Sequence, residues 1–226
     1  MTARRKTDTA KLPEWDLDDL YRGPEDPEIE RHLAAAAARA RTFALRHKGK
    51  LRGLDGDGLG RAIAAYERLS ERLDRIGSHA QLLFAADSSN PDNARFHQTI
   101  NERITEISSE LLFFELEINR IGERTLKKQL AAKRAGKYAP WIRDSRVFRP
   151  HQLSHDLEKI LLEKSVAGRQ AWIRLFDETM NGLRFRLGGK KLTESEILNR
   201  LSDRRPLVRK KAAKAFANEM SRNERL

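Results

Sequence analysis

From Ile29 to Phe43 apolar residues return every three or four positions, at Ile29, Leu33, Ala36, Ala40 and Phe43, the spacing that gathers them on one face of an α-helix. Asp26 supplies a cap and Pro27 a first turn, Glu28 and Glu30 complement the positive end of the helix dipole, and the glycines of "GKLRGLDGDG" end the run after His47. Two longer patterns follow. Leu59, Ile63, Tyr66, Leu69, Leu73, Ile76, Ala80 and Leu83 form the first, with Asp57 offered as its cap. Phe96, Ile100, Ile104, Ile107, Leu111, Phe114, Ile118 and Ile121 form the second, capped by Asn90 and begun by Pro91. Each spans about 30 residues, or about 45 Å at 1.5 Å per residue. A connection of a few residues forces the two helices to fold back on each other, so residues 57–121 predict a long antiparallel hairpin.

The second half is more broken. "ERTLKKQLAAKRAG" predicts a short basic helix closed by Gly136, and "YAPWIRDSRVF" another that begins near Pro140 and stops before Pro150. In "GRQAWIRLFDETM", Trp172, Leu175, Phe176 and Thr179 share a face. "LRFRLGGKKLT" alternates apolar and basic residues around Gly188 and Gly189, a hairpin signal. Thr193 and Glu196 form a capping box, and a last helix starts at Ser202 or Asp203. The fold class is therefore all-α: a long antiparallel helical hairpin followed by shorter helices, with one small β-hairpin near residues 183–192. Residues 1–12 read as a flexible tail, 13–135 as a helical arm, and 136–226 as the start of a second helical lobe left incomplete. Trp15, Leu17, Leu20 and Tyr21 are available to pin the amino terminus onto another part of the fold.

Composition narrows the function classes. The chain has 226 residues and no cysteine, which excludes disulfides and thiolate metal sites and fits a reducing cytoplasm. "MTARRKTDTAKLPEW" lacks the apolar segment of a secretory signal, and "HLAAAAARARTF" is too short and too broken by arginine to span a bilayer, so a soluble cytoplasmic protein is expected. The net charge of +12 raises the prospect of a polyanionic partner. Residues 1–126 carry 20 basic and 22 acidic side chains, whereas 127–226 carry 25 and 11, so the excess belongs to one half.

The stretch "PHQLSHDLEKILLEK" places His151 and His155 four residues apart, close to the HExxH pattern of zinc peptidases. Gln152 stands where the general base would be, and an amide cannot take a proton from zinc-bound water. Ser154 sits where an N-cap belongs, with Asp156 and Glu158 in the first turn and Leu157, Ile160 and Leu161 on the apolar face. If Ser154 caps, His151 lies outside the helix, and the segment is a packed structural helix rather than a metal site. His32, His47, His79 and His97 each stand alone in helical patterns and read as surface or core histidines. Glu115 and Glu117, two apart, face different ways and read as solvated or paired with arginines, as does the acidic run Asp16 to Asp19. Arg204, Arg205, Arg209, Lys210, Lys211 and Lys214, with Lys190 and Lys191, form the densest basic patch in the sequence. Without interleaved aromatics or a phosphate loop, it reads more readily as a solvated helix face than as a nucleic-acid surface.

From about Trp15 to Phe216 the chain carries, in order, "WDLDDLY", "FALRHKGKL", "AYERLSERLDRIGSHAQLLFAAD" with the "NPDNARF" turn, "ELLFFELEI", "YAPWIRDSRVFRPHQLSHDLEKILLEKSVAG", "AWIRLFDE", "SEIL" and "VRKKAAKAF". In this order the segments resemble the amino-terminal region of oligoendopeptidase F, a thimet-oligopeptidase-like zinc metallopeptidase. It implies a nearly all-helical fold around a deep channel, in which HExxH and a later glutamate hold zinc and short peptides are cleaved. No position here matches those functional residues, so the resemblance assigns this chain no catalytic, cofactor-binding or metal residue. The family's zinc motif is expected beyond Leu226, and this region to supply the lobe that narrows access to the channel. The last helix carries Leu207, Ala212, Ala215 and Phe216 on a stripe expected to face later chain, with self-association of the isolated piece as the consequence. Two other readings stay open: a basic helical binding module for nucleic acid or an acidic protein partner, and a scaffold that dimerises through the long hairpin.

Overall fold

The structure, a computed structural model, describes residues 15–88 and 90–224; the expected tail over 1–12 lies outside the described residues. Helix α1 (Pro27–His47) leads through a 3₁₀ turn to α2 (Gly56–Ala86) and α3 (Pro91–Arg120). Shorter helices follow: α4 (Glu123–Leu130), α5 (Lys133–Gly136), α6 (Ala139–Arg146), α7 (His155–Ser165) and α8 (Ala171–Gly182). Strands β1 (Phe185–Leu187) and β2 (Lys190–Leu192) pair antiparallel, with Phe185 opposite Leu192, before α9 (Glu194–Leu201) and α10 (Pro206–Arg222). Gly188 and Gly189 both hold positive φ, +58° and +79°, as a two-residue type I′ turn requires.

Local signals set the helix starts. Asp26 accepts from the Glu28 amide at 2.9 Å with Pro27 in the first turn, Asn90 accepts from the Asp92 amide at 2.9 Å with Pro91 next, and Thr193 and Glu196 close a capping box. Each satisfies backbone N–H groups that the first turn leaves without carbonyl partners.

Packing then builds two cores. The larger gathers one face each of α1, α2 and α3 with Leu126, Ala135, Tyr138 and Ile142 of α4–α6 and its flank. Its centre is aromatic: Phe43 meets Phe114 edge-on at 5.1 Å, and Tyr66 stacks on Phe114 at 4.7 Å. The Tyr66 hydroxyl donates to Glu115 at 2.8 Å, and burial, then the Glu115 charge, push its pKa well above the ordinary value. Two polar staples close this core. The Gln129 amide donates to the carbonyls of Leu51 (3.0 Å) and Leu54 (2.8 Å), fixing the α1–α2 connection onto α4. Arg146, with only 10% of its side chain exposed, donates to the carbonyls of Ile118, Asn119 and Ile121, bonding the orphan carbonyls at the end of α3. The smaller core joins Leu183, Phe185, Leu192, Ile197 and Ala212, so the β-hairpin is a lid between α9 and α10.

Several expectations are corrected. Asp55, not Asp57, caps α2, accepting from the Gly58 amide at 2.6 Å. The predicted helix over 123–136 is two, because Ala132 turns extended and lets Arg134 and Ala135 of α5 settle against Gly60 of α2. The last helix begins at Pro206 rather than at Ser202 or Asp203; Asp203 instead accepts from the Arg205 amide and guanidinium, which hold its carboxyl down at about 2. Of the four residues expected to pin the amino terminus, Trp15 is 88% exposed, whereas Leu20 packs against the larger core and Tyr21 is buried in it, its hydroxyl meeting His32 Nδ1 at 2.9 Å. Glu115 is exposed, as a solvated carboxylate should be, and accepts from the Tyr66 hydroxyl, while the half-buried Glu117 accepts from the Gly49 amide, a partner the sequence reading did not include. The stripe on α10 is mostly covered: Ala212 is fully buried and Phe216 stacks on Phe185 at 5.2 Å, leaving Leu207 exposed.

Candidate functional site

The near-HExxH stretch resolves into three unlike environments. Pro150 and His151 belong to a 3₁₀ turn (Arg149–His151), Gln152 and Leu153 cross over extended, and Ser154 caps α7 by accepting from the Leu157 amide at 3.4 Å. His155 is the first residue of α7 and lies 3.3 Å from Asp156. The two histidines line separate hollows: His151 one with Trp141, Asp144 and Glu158, and His155 another with Arg41, Glu110 and Lys159. Gln152 donates to the Leu116 carbonyl at 3.0 Å and ties this turn to α3. The four-residue spacing is therefore not a helical turn, and the pair does not converge on one point.

The remaining histidines sit in packing roles. His79 is 1% exposed, edge-on to Tyr21 at 5.4 Å and to Phe96 at 6.2 Å, and His97 stacks on Phe84 at 5.1 Å. Burial lowers the pKa of both, and of His32 and His47, which favours neutral rings at pH 7. Among the described residues no three His, Asp or Glu side chains come together as a metal site. His151 and His155 as placed do not fit one zinc ion: they line separate hollows, and Gln152, where the base would stand, is an amide that donates to the Leu116 carbonyl.

The basic patch is likewise divided. Arg205 pairs with Asp203, and Arg209 donates to the carbonyls of Asp203 (2.9 Å) and Arg204 (3.1 Å), so both shape the α9–α10 connection. Lys210, Lys211 and Lys214 remain exposed on α10.

What the site region does present is apolar surface. Leu157, Ile160 and Leu161 share a face of α7 by their spacing, as expected, yet each is more than half exposed rather than packed. On α8, Trp172 is 68% and Phe176 62% exposed; with Leu175, Met180 and Leu183, and Met220 from α10, they wall a groove of about 520 Å³. A groove of this kind, walled by large apolar side chains, is characteristic of interaction surfaces. The α7–α8 connection is a π-turn over Val166–Gln170 in which Gly168 leaves helical geometry. The sequence showed the amphipathic stripes of α7 and α8 but not that they lack a covering layer, because periodicity reports which face is apolar and not what lies against it.

Comparisons with known proteins bear on the same region. Residues 117–185, from the end of α3 to β1, match the amino-terminal peptidase M3 family model described as oligopeptidase F. The chain resembles the amino-terminal region of oligoendopeptidase F. The crystal structure of oligoendopeptidase-F from Enterococcus faecium shares the fold over 83% of this chain, with a TM-score of 0.66 at 19% sequence identity. The chain covers 37% of that protein, little more than a third of its length. No curated protein sequence matches. No described helix is long and apolar enough to cross a membrane.

Proposed function

We propose that this chain is the non-catalytic amino-terminal part of an oligoendopeptidase F-like zinc metallopeptidase that cleaves short peptides, and that it restricts access to the substrate channel. The observation that carries the reading is the unpartnered apolar surface of α7 and α8, which lies inside the segment matching the oligopeptidase F model. Covering Trp172, Phe176 and Leu161 would remove large apolar side chains from water, each contributing about 1.5–3 kcal/mol when fully buried. In this reading the HExxH-bearing catalytic region is what covers them.

Residues 13–135 then act as the arm and 136–226 as the start of a second lobe, with α6 of the second segment seated on the first core. The long α2–α3 hairpin is the wall in this reading, its two helices about 45 Å long and packed along buried faces that run from Leu59 to Phe84 on α2 and from Ile100 to Asn119 on α3. A rigid wall beside a channel selects by size, admitting extended short peptides and excluding folded protein.

The test is a comparison of peptide length profiles. A HExxH-bearing catalytic region joined to this chain should cleave short peptides and leave long ones intact, while the same region without it should accept longer substrates. Identical length profiles with and without the chain would defeat the proposed role.

A further inference from the structure

A hollow of about 850 Å³ runs between α1 and α2, walled by Arg39 and Arg46 from α1 and by Arg68, Arg72 and Arg75 from α2. The helices lie antiparallel here: Phe43 is 6.4 Å from Tyr66 at one end, and His32 and His79 both meet Tyr21 at the other. On α1 the arginines are seven residues apart, and on α2 they follow at four and three, so each row keeps to one face for about 10 Å. Two cationic rows therefore face each other across the hollow.

Arg75 is already engaged, donating to the carbonyls of Asp19 (2.6 Å) and Leu20 (2.9 Å) and lying over the Tyr21 ring at 5.4 Å. Arg39, Arg46, Arg68 and Arg72 have no hydrogen bond or ion pair with the described residues, and Glu71 is the one acid in the wall. Arginines at i and i+4, such as Arg68 and Arg72, are neighbours on the helix surface and repel each other. An unneutralised double row is thus a standing cost that an anion would relieve. Counting charge by halves of the sequence hid it, because Glu71 is the one acid among the residues that line the hollow.

We infer that the α1–α2 hollow binds a compact anion carrying two or more linked phosphates. Phosphate is favoured over an acidic peptide by charge density. Linked phosphates put several charges within the 10 Å that the arginine rows span. A glutamate peptide would have to order one flexible side chain per charge, an entropy cost that linked phosphates do not carry. Guanidinium forks also match phosphate oxygens two at a time. The inference is independent of the peptidase reading, since the hollow's walls, from Tyr21 to Arg75, lie outside the matched segment 117–185.

The experiment is calorimetric titration of the full chain at low salt with tripolyphosphate and, separately, with ATP. One saturable site is expected, weakened about tenfold or more by Arg39→Gln combined with Arg72→Gln. Binding should be unchanged by Lys210→Gln combined with Lys211→Gln on exposed α10, and both variants should keep the parent Tm. Tighter binding of ATP than of tripolyphosphate would identify a nucleotide as the source of the phosphates, and equal binding the phosphate chain alone; either supports the site. Absence of saturation with both, equal weakening by the lysine variant, or tighter binding of a polyglutamate peptide or single-stranded oligonucleotide than of tripolyphosphate would overturn it.

Discussion

Replacing Gly60 by alanine sets helix propensity against packing at one position, and the structure says which wins. In an open helix the change gains about 1 kcal/mol, because glycine loses more backbone freedom on folding. A Cβ on Gly60, however, would lie 2.6 Å from the Arg134 carbonyl carbon and 2.8 Å from the Ala135 nitrogen, where about 3.5–4.0 Å is normal. Both obstacles are backbone of α5, so α5 must retreat by about 1 Å and loosen Ala135 and Tyr138, which belong to the larger core. Overpacking of this kind costs about 1–3 kcal/mol, toward the upper end where backbone must move. Net destabilisation of about 1–2 kcal/mol remains, which lowers Tm by about 2–8 °C in a chain of this size. Gly77→Ala in the same helix is the contrast: its Cβ would meet only the tip of Ile104, at 3.2 Å, which can rotate away. That variant should be neutral or raise Tm by up to about 3 °C. Thermal unfolding followed by circular dichroism at 222 nm reads both. A Tm for Gly60→Ala at or above the parent value would refute the reasoning about the α2–α5 contact.

Three further outcomes follow from the same structure. Arg146→Met removes the donor to three carbonyls at the end of α3 and should cost about 2–4 kcal/mol, seen as a lower urea midpoint; an unchanged midpoint would mean that water replaces the guanidinium at no loss. His32, His47, His79 and His97 have pKa values lowered mainly by burial, so the unfolded chain binds more protons below its own histidine pKa of about 6.5. The stability they contribute is complete above that pH and is lost as pH falls toward the folded values, so Tm should drop between pH 7.5 and 5.5; a flat or rising Tm would contradict their placement. Trp172→Ser combined with Phe176→Ser should reduce binding of a hydrophobic dye and any self-association seen by sizing without lowering Tm, because both side chains are largely exposed here.

The parts of this fold that could be read from sequence are those that depend on neighbours a few residues away. Asp26 with Pro27, Asn90 with Pro91, Thr193 with Glu196 and the paired glycines at 188 and 189 each specify a local geometry, and each forms as read. Where a nearer competitor existed, local reading chose wrongly: Asp55 displaces Asp57 as cap, and Pro206 moves the start of α10 past Asp203. Relationships between distant segments were hidden. Nothing in the sequence near Gly60 announces that the backbone of Arg134 will rest on it, or that Gln129 and Ala132 will lie against Gly56 one turn earlier. Arg39 and Arg68 are far apart in sequence and adjacent across a hollow. Likewise the apolar faces of α7 and α8 were legible, while their exposure depended on what fails to cover them.

The central claim, that this chain contributes a lobe and not the chemistry, is tested most directly by offering it what hydrolysis would need. The purified chain, supplied with one equivalent of zinc and short internally quenched peptides, should give no fluorescence gain above the rate with buffer and zinc alone. Cleavage that follows the concentration of this chain, stops on adding a chelator and is lost in His151→Ala or His155→Ala would contradict the account.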